Sequence, residues 1–311
     1  MKKLFSFITL LCVGFLVACG GLDTGSGDNA DVDSPEAELS PEEITIGVSV
    51  STLNNPFFDD IRQGIQETAE AEGATVRVSD AQDDSSTQSN DIDDLIQQDV
   101  DVLVINPVDS AAIQSSVEAA NSANIPVITL DRSSDGGTVL SYIASNNVSG
   151  GEMAAEYIVE QIGEGGKVVQ LEGVPGTSAA NERGEGFESI ANDQLEILDS
   201  QSANFNRAEG LSVMEDMLQS NSDIQAVFAQ NDEMALGALE AIQSAGLEDD
   251  IIVIGFDGNE DALESVEAGG LDATVAQKPY EMGKIAVETI FSFFSGETVD
   301  EQIDSPLELV Q

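Results

Sequence analysis

Side chains able to bind a ligand stand where apolar, strand-like runs of this sequence end. In open parallel sheets, ligands bind beyond the carboxyl ends of the strands, so amides and carboxylates there can converge on one cleft. The sequence favours this role for Asp131, Asn231 and Asp257, because the same kind of group recurs in both halves of the chain. Asn106 and Asp232 are better explained as helix caps or turn residues, for which Asn and Asp are well suited.

Arginine is scarce in this sequence, which has 59 Asp and Glu residues against 10 Lys and Arg residues and a formal net charge of −49. An arginine that persists in so acidic a chain is expected to have a specific partner. Arg132 follows Asp131 directly, and Arg183 lies in the run GTSAANERGEGF. A guanidinium offers rigid donors that match paired hydroxyls or carboxylates. We expect both arginines in the cleft, with neutralisation of buried carboxylates as the alternative. For Arg207 that alternative is the stronger one.

The stretch STLNNPFFDD places two adjacent phenylalanines, Phe57 and Phe58, just after the first apolar run. Successive residues of a helix point about 100° apart, so both rings cannot occupy the centre of one buried stripe. We expect one ring to stack on the ligand and the other to seal the cleft wall, with Pro56 fixing the first helical turn that aims both. Together with Phe205, aromatic faces match the CH-rich faces of a sugar, and the polar groups match its hydroxyls. These residues predict a site for a neutral polyol or monosaccharide.

The composition excludes several classes of function. With no histidine, the chain has neither a Ser-His-Asp or Cys-His catalytic set nor an imidazole metal site. The carboxylates do not follow the spacing of a calcium-binding loop, so we predict no metal and no cofactor. The negative charge repels nucleic acid and anionic lipid and is typical of halophilic proteins. We predict that the protein is not an enzyme. A glycosidase that uses Asp131 and Asp257 as its carboxylate pair is the open alternative.

These residues need strands that end at a common cleft, and the sequence pattern supplies them. From Ile44 onward, apolar strand-like runs alternate with segments whose apolar residues recur at helical spacing. The runs predicted as strands are residues 44–50, 75–80, 102–106, 126–131, 167–173, 195–200, 226–232, 251–257 and 273–278. Such alternation predicts parallel sheets covered on both faces. Two similar α/β lobes fit this number of units best, and a single eight-stranded barrel is the topological alternative.

The N-terminal segment has the pattern of a bacterial lipoprotein signal. A short basic start and the apolar run 4–17, too short for a comfortable membrane span, lead to LVACGG around Cys19. We predict a signal peptide over residues 1–18 and lipidation of Cys19, the alternative being an ordinary secretory signal. Residues 19–43 are acidic and poor in large apolar residues, which predicts a lipid-anchored, disordered linker. The other cysteine leaves with the signal, so the mature chain can form no intramolecular disulfide.

Long segments of the chain are similar to one family of bacterial proteins. The most specific segments are STLNNPFF, LVINPVDS, ANIPVITLDR, IASNNVSGG, GTSAANERGEGF, AVFAQNDEMALGAL and VIGFDG. From Ile44 to the C-terminus, the sequence resembles the type 1 periplasmic sugar-binding family, and within it the ribose-binding proteins of bacterial ABC importers. The resemblance implies an α/β fold of two Rossmann-like lobes with parallel sheets, joined by a hinge of three crossings. The N-terminal lobe would comprise residues 44–145 and 278–307, and the C-terminal lobe residues 146–277 and 308–311.

The resemblance also implies a ligand and its contacts. D-ribose would bind between the lobes, without covalent chemistry or a cofactor, and stabilise a closed form that a membrane permease with its ATPase recognises. The implied ligand-binding residues are Asn55, Phe57, Phe58, Asp131, Arg132, Arg183, Phe205, Asn231, Asp257 and Gln277. Asn146 stands where an aspartate is common in the family, which is a departure close to the hinge.

The implied protein is an exported monomer in the periplasm or on the outer face of the cell envelope, attached to a membrane only through the lipid at Cys19. A chemoreceptor is a second candidate partner for the closed form, and nucleic acid is not a partner. Two alternatives share the fold. One is binding of another monosaccharide, such as allose or a furanose signalling molecule, against which the complete set of ribose contacts argues. The other is a transcription regulator, which would need a basic helix-turn-helix where this chain has its signal and linker.

Overall fold

The computed structural model describes Pro35 and residues 38–311. The predicted signal peptide, Cys19 and most of the predicted linker lie outside the described residues. None of the helices in the described part of the chain combines the length and the apolar composition needed to cross a bilayer.

The first lobe is built on a six-stranded sheet in the order β11-β5-β4-β3-β1-β2, in which every neighbouring pair is parallel. Its strands are β1 (Thr45–Val50), β2 (Thr75–Asp80), β3 (Val102–Ile105), β4 (Val127–Leu130), β5 (Ser141–Ser145) and β11 (Gln302–Ser305). The central strands β3 and β4 are buried along their whole length, as expected for parallel strands covered on both faces.

The second lobe repeats this plan with a second six-stranded sheet in the order β12-β10-β9-β8-β6-β7. Its strands are β6 (Gly166–Glu172), β7 (Leu195–Ser202), β8 (Ala226–Ala229), β9 (Ile252–Asp257), β10 (Ala273–Ala276) and β12 (Glu308–Val310). All pairs are parallel except β10 with β12, which is antiparallel. Two separate open sheets confirm the two-lobe α/β prediction and exclude the barrel.

Helices cover both faces of each sheet. Those between the strands of the first lobe are α1 (Pro56–Ala71), α2 (Ser85–Gln97) and α3 (Gln114–Ser122), and α9 (Pro279–Phe294) packs against α1. The second lobe contains α4 (Asn147–Ile162), α5 (Ser178–Gln194), α6 (Arg207–Ser220), α7 (Asp232–Ala245) and α8 (Glu260–Ala268). The chain therefore passes from the first sheet to the second after β5, returns after β10, and crosses again between β11 and β12.

Three strands were not predicted from the sequence, namely β5, β11 and β12. Strand β11 contains one large apolar residue, and β5 and β12 contain two that are adjacent in sequence. None of the three therefore shows a long apolar run or the alternating pattern on which the prediction depends.

The packed structure begins earlier than Ile44, the residue that follows the predicted linker. The Leu39 amide donates to the Phe294 carbonyl oxygen at 3.2 Å, and the Leu39 side chain packs against the core of the first lobe. Pro41–Glu43 form a 3-10 turn in which the Glu43 carboxylate accepts hydrogen bonds from the amide and the hydroxyl of Ser40. One apolar residue and a capping pair are thus enough to dock the end of an acidic segment.

Candidate functional site

A small cavity lies between the lobes, at the carboxyl ends of the central strands of both sheets. The space between its lining atoms is about 230 Å³, a volume that includes solvent at its mouth. Its lining residues are Asn55, Phe57, Phe58, Asp131, Arg132, Ala179, Arg183, Phe205, Asn231 and Asp257. Nine of the ten side chains predicted to bind a ligand therefore come together around one space. The tenth, Gln277, lies behind the wall.

The N-terminal end of α1 forms the aromatic side of the cavity. Pro56 is the first residue of the helix, as predicted, and the side chain of Asn55 caps it by accepting a hydrogen bond from the Phe57 amide at 3.0 Å. The rings of Phe57 and Phe58 meet edge to face with their centroids 5.3 Å apart. Both rings are buried in the core of the first lobe and both line the cavity. Each ring therefore contributes both to the core and to the cavity wall.

Asp131 and Arg132 follow β4 and bring opposite charges to the floor of the cavity. The backbone of Asp131 has φ of +63°, a conformation uncommon for a residue with a side chain. The Arg132 Nε atom lies 3.6 Å from the Asp131 carboxylate, while its Nη1 atom donates to the Pro107 carbonyl oxygen at 2.9 Å. Arg132 also lies between two rings, 5.1 Å from the centroid of Phe58 and 5.5 Å from that of Phe205. These contacts fix the guanidinium across the gap between the lobes.

Arg183 is the corresponding cation of the second lobe. Its Nε atom donates to the Asn147 side-chain oxygen at 2.9 Å, and Nη1 donates to the Gln230 carbonyl oxygen at 2.7 Å. The backbone of α5 is close enough to α4 that a Cβ atom at Gly151 would lie 2.2 Å from the Arg183 carbonyl oxygen. Because glycine allows this approach, Arg183 starts from a position near the cavity and its side chain extends into it, over the ring of Phe256.

The two acidic side chains of the cavity both face Arg183. Its guanidinium lies 3.4 Å from the Asp257 carboxylate and 3.8 Å from that of Asp131. Gln277 donates to the Asp257 carboxylate at 2.8 Å and so supports it from behind. Arg183, Asp131 and Asp257 come from both lobes and from elements far apart in the chain, so the cavity is complete only when the lobes are together.

Burial controls the electrostatics of the cavity. It raises the pKa of Asp131 and, more strongly, that of Asp257, and in both cases the charge of Arg183 opposes the shift. Burial also lowers the pKa of Arg132, which the Asp131 carboxylate opposes. At their formal charges, two arginines and two aspartates balance one another in the lining. A ligand that carried a further charge into this buried space would have no counterion, so the lining suits a neutral molecule.

Several polar atoms at the cavity have no hydrogen-bond partner among the described residues. They include one carboxylate oxygen of Asp131, the Nε atom of Arg132 and the amide oxygen of Gln277. Buried polar groups in folded proteins are almost always paired. The ion pairs beside them are also long: Arg183 donates a weak hydrogen bond to Asp257 at 3.4 Å, and the two pairs of Asp131 are 3.6 and 3.8 Å apart. This pattern is that of a site whose hydrogen bonds are completed by a ligand with several hydroxyl groups.

Comparison with known proteins identifies the family of this chain. A family model for the periplasmic binding protein domain matches residues 46–298. The chain belongs to the periplasmic binding protein family. It is 52% identical over 309 residues to the ribose import binding protein RbsB of Bacillus subtilis (strain 168), with 99% of each chain covered. It is 48% identical to the ribose import binding protein RbsB of Escherichia coli (strain K12), over 86% of this chain and 90% of that protein.

Solved structures of periplasmic binding proteins share the fold. An ABC transporter solute binding protein from Bacillus halodurans C-125, solved with bound myo-inositol, has a TM-score of 0.82 and 34% identity. The match covers 86% of this chain and 94% of that chain. The two-lobe architecture is therefore that of the type 1 periplasmic binding proteins, in agreement with the resemblance noted in the sequence.

Three polar residues of this periplasmic binding protein act outside the cavity wall. Asn106 accepts from the amide and hydroxyl of Ser51 and donates to the Leu130 carbonyl oxygen, so it braces the ends of neighbouring strands. Asp232 holds a turn, and Arg207 pairs with Glu233 and Asp261 at the surface. None of the three lines the cavity, as expected, but neither Asn106 nor Asp232 caps a helix, since Ile113 and Asn231 hold the cap positions of α3 and α7. The carboxylates that Arg207 neutralises are partly buried or exposed rather than buried. Asn231, by contrast, both caps α7, through the Met234 amide, and lines the cavity.

Two contributors to the site were not predicted from the sequence. Ala179 lines the cavity, and Asn147 orients Arg183. Both lie in segments that carry the family resemblance, GTSAANERGEGF and IASNNVSGG. Neither could be identified by type, since alanine has no functional group and the role of Asn147 depends on the packing of α4 against α5.

Direct hydrogen bonds join the two lobes beside the cavity. The Ser133 amide donates to the Ser178 hydroxyl at 2.9 Å, the Ser178 amide donates to the Ser110 hydroxyl at 3.2 Å, and the Ser110 amide donates to the Gly176 carbonyl oxygen at 3.1 Å. We refer to these four residues as the interlobe latch. They lie at the start of α5 on one side and in loops after β3 and β4 on the other. The latch shows that the structure is in a closed form.

Proposed function

We propose that this periplasmic binding protein captures D-ribose between its lobes for an ABC importer. The observation that supports this most strongly is the cavity itself, which lies between the lobes, has equal numbers of aspartates and arginines in its wall, and contains an aspartate and an arginine atom without partners. Each sugar hydroxyl can donate to a carboxylate and accept from a guanidinium at once. The identity of 52% to a protein named for ribose import supports the choice of ribose within the family.

The site residues are part of this proposal. Asp131, Arg132, Arg183 and Asp257 would form the polar contacts, with Gln277 supporting Asp257. Asn55 and Asn231 would supply amide contacts, and the rings of Phe57, Phe58 and Phe205 would pack on the sugar faces. The binding site needs no metal or cofactor, because these side chains satisfy a neutral sugar by themselves.

Calorimetric titration of the chain from Cys19 onward with D-ribose, in molar salt, tests the proposal directly. We expect one-to-one binding, with allose, xylose, glucose and myo-inositol much weaker. Calorimetry is preferable to fluorescence, since the chain has no tryptophan to report closure. No heat from ribose, in protein shown to be folded by circular dichroism, would contradict the proposal.

A second candidate is another neutral cyclic polyol in the same cavity. The observation that favours it is the structural relative with bound myo-inositol, which shares the fold at 34% identity. The same titration decides between the two, because only the order of affinities differs. Incubation of the protein with ribose and with simple glycosides, followed by NMR, would reveal turnover and revive the glycosidase alternative. We expect none.

Location and partners complete the proposal. The protein would be exported, lipidated at Cys19, and presented as a monomer to a permease and its ATPase. Metabolic labelling with a radioactive fatty acid tests the anchor: we expect label in the wild type and none in Cys19→Ser. Equal labelling of both would exclude lipidation at this residue.

A further inference from the structure

A buried carboxylate that does not line the cavity connects the strand ends that form its second-lobe wall. Asp232 is the first residue of α7 and its side chain is completely buried. One carboxylate oxygen accepts hydrogen bonds from the backbone amides of Gly258 and Asn259, at 2.7 and 2.8 Å. The other accepts from the Thr274 hydroxyl at 2.7 Å. A single side chain thus joins the start of α7 to the turn after β9 and to β10.

Each of the three connected segments carries a residue of the site. Asn231 directly precedes Asp232, Asp257 directly precedes Gly258, and β10, which contains Thr274, ends just before Gln277. Gln277 in turn is bonded to Asp257 through its side chain and through its amide, which donates to the Asp257 carbonyl oxygen at 2.8 Å. Movement of Asp232 would therefore be transmitted to all three.

The backbone around Asp257 needs such an anchor. Asp257 has φ of +124° and Gly258 has φ of +77°, so an aspartate adopts a backbone conformation that residues with a side chain rarely occupy. Conformations of this kind persist only where the surroundings hold them from several sides. The carboxylate of Asp232 does so, and Gly255 leaves it the space: a Cβ atom at Gly255 would lie 2.3 Å from the nearer carboxylate oxygen.

We propose that Asp232 is a positioning residue that holds the turn after β9 and thereby directs the Asp257 carboxylate toward the sugar. The proposal rests on the proposed ribose function and adds a residue that touches no ligand. Its action depends on accepting three hydrogen bonds, so a substitute must place an acceptor oxygen at the same position. An asparagine can keep the oxygen that accepts from the two amides, whereas an alanine can accept none.

The test compares the wild type with Asp232→Ala, Asp232→Asn and Leu239→Ala by ribose titration. Leu239 lies in the core on the same helix and contacts no part of the site, so its truncation is a matched control for lost stability. We expect Asp232→Ala to lose about tenfold or more in affinity, as expected when backbone donors lose their acceptor. Asp232→Asn should recover most of that affinity, and Leu239→Ala should bind like the wild type. Equal affinities of Asp232→Ala and the wild type would overturn the proposal.

A double-mutant cycle separates positioning from simple loss of stability. If Asp232 acts through Asp257, then Asp232→Ala should cost little further affinity in an Asp257→Ala background. Additive losses would contradict the proposal. Hydrogen exchange of the sugar-free protein gives a readout that needs no ligand: the Gly258 and Asn259 amides should exchange slowly in the wild type and Leu239→Ala, and faster in Asp232→Ala. If the wild type does not bind ribose, the proposed function is wrong, whereas slow or fast exchange still decides whether Asp232 holds the turn.

Discussion

At the scale of single residues, the buried arginines distinguish the cavity from the rest of this acidic protein. Arg132 and Arg183 are each 3% exposed and face carboxylates in the cavity, while Arg207 pairs with carboxylates at the surface. The scarcity of basic residues made all three noticeable in the sequence. Their type alone could not separate the two roles, because burial is a property of the folded chain.

Replacing Arg132 by alanine should weaken ribose binding strongly. It would leave Asp131 with one charge partner fewer in a dry site and remove a donor that the sugar would use, which costs about 2–5 kcal/mol of binding. Calorimetric titration measures the loss. Arg207→Ala is the matched control, since it removes an arginine outside the cavity, and it should leave the affinity within about threefold of the wild type. A loss below about tenfold for Arg132→Ala would place the ligand elsewhere.

The titration of Asp232 should appear in the pH dependence of stability. Burial raises the pKa of Asp232 to about 7, against hydrogen bonds from Thr274, Asn259 and Gly258 that lower it. Because the folded-state pKa lies above the ordinary value, the stabilisation that protonation provides is complete below about pH 4 and is lost as the pH rises toward 7. Asparagine does not titrate. The free energy of unfolding of Asp232→Asn relative to the wild type should therefore rise over this interval, by at most about 1.4 kcal/mol per pH unit.

Urea denaturation of both proteins at a series of pH values checks this prediction. The charge of Asp232 also raises the pKa of Asp257, so the difference between the two curves reports the titration of Asp232 together with its effect on Asp257. A difference that stays constant with pH would show that Asp232 keeps its charge throughout.

At the scale of elements, the start of α5 serves both the cavity and the closed form. Ser178 is its first residue and belongs to the interlobe latch, Ala179 lines the cavity, and Arg183 enters the cavity about one turn later. The helix thereby couples ligand contact to lobe contact. In an open form, water would form hydrogen bonds with the groups of the interlobe latch. The latch therefore stabilises the closed form only by the difference between its hydrogen bonds across the lobes and those hydrogen bonds to water.

Ser178→Ala should weaken ribose binding modestly through the closed form. It removes the acceptor of the Ser133 amide, a loss worth about 0.5–1.5 kcal/mol, and should act mainly by speeding release of the sugar. Stopped-flow or surface-based kinetics measure the two rate constants. Ser189→Ala is the control, because Ser189 lies in the same helix and its hydroxyl bonds only to the Gly186 carbonyl oxygen of that helix. Identical release rates in both variants would show that the latch does not stabilise closure.

At the scale of the whole molecule, the charge is the dominant property. A formal net charge of −49 in a chain of 311 residues means that folding brings many carboxylates close together. Eight of the ten basic residues lie in the described part of the chain, and two of those are used inside the cavity. Few basic side chains are left to balance the negative charge of the surface carboxylates. We propose that cations from dissolved salt screen this charge.

Lowering the salt from about 1 M to about 0.1 M should destabilise the sugar-free protein, since the screening length grows from about 3 Å to about 10 Å. Thermal unfolding at both concentrations checks this, and a series with sucrose in place of salt controls for general solute effects. We expect the melting temperature to fall at low salt and sucrose to restore it only in part. An unchanged melting temperature would contradict the halophilic interpretation.

The sequence alone predicted much of the fold and most of the residues around the cavity. The absence of histidine excluded whole classes of chemistry, and the alternation of apolar runs predicted nine of the strands and the two-lobe fold. Polar residues at strand ends identified most of the cavity, because a parallel sheet delivers those ends to one edge whatever the details of packing. Strands β5, β11 and β12 and the docked residues Leu39–Glu43 were not predicted, since they contain few large apolar residues and their positions depend on backbone pairing and on single side chains.

Only the tertiary structure decided how these groups meet. Arg183 contacts Asp257 across 74 residues of chain, and its Nε atom depends on Asn147 of another helix. Asp232 joins three segments that no local pattern relates, and the latch exists only when the lobes close. Residue type and strand position are local properties that a sequence displays directly. Contacts between distant groups are different. The order of strands in each sheet and the approach of the two lobes decide which of these groups form an ion pair, form a hydrogen bond or line the same cavity.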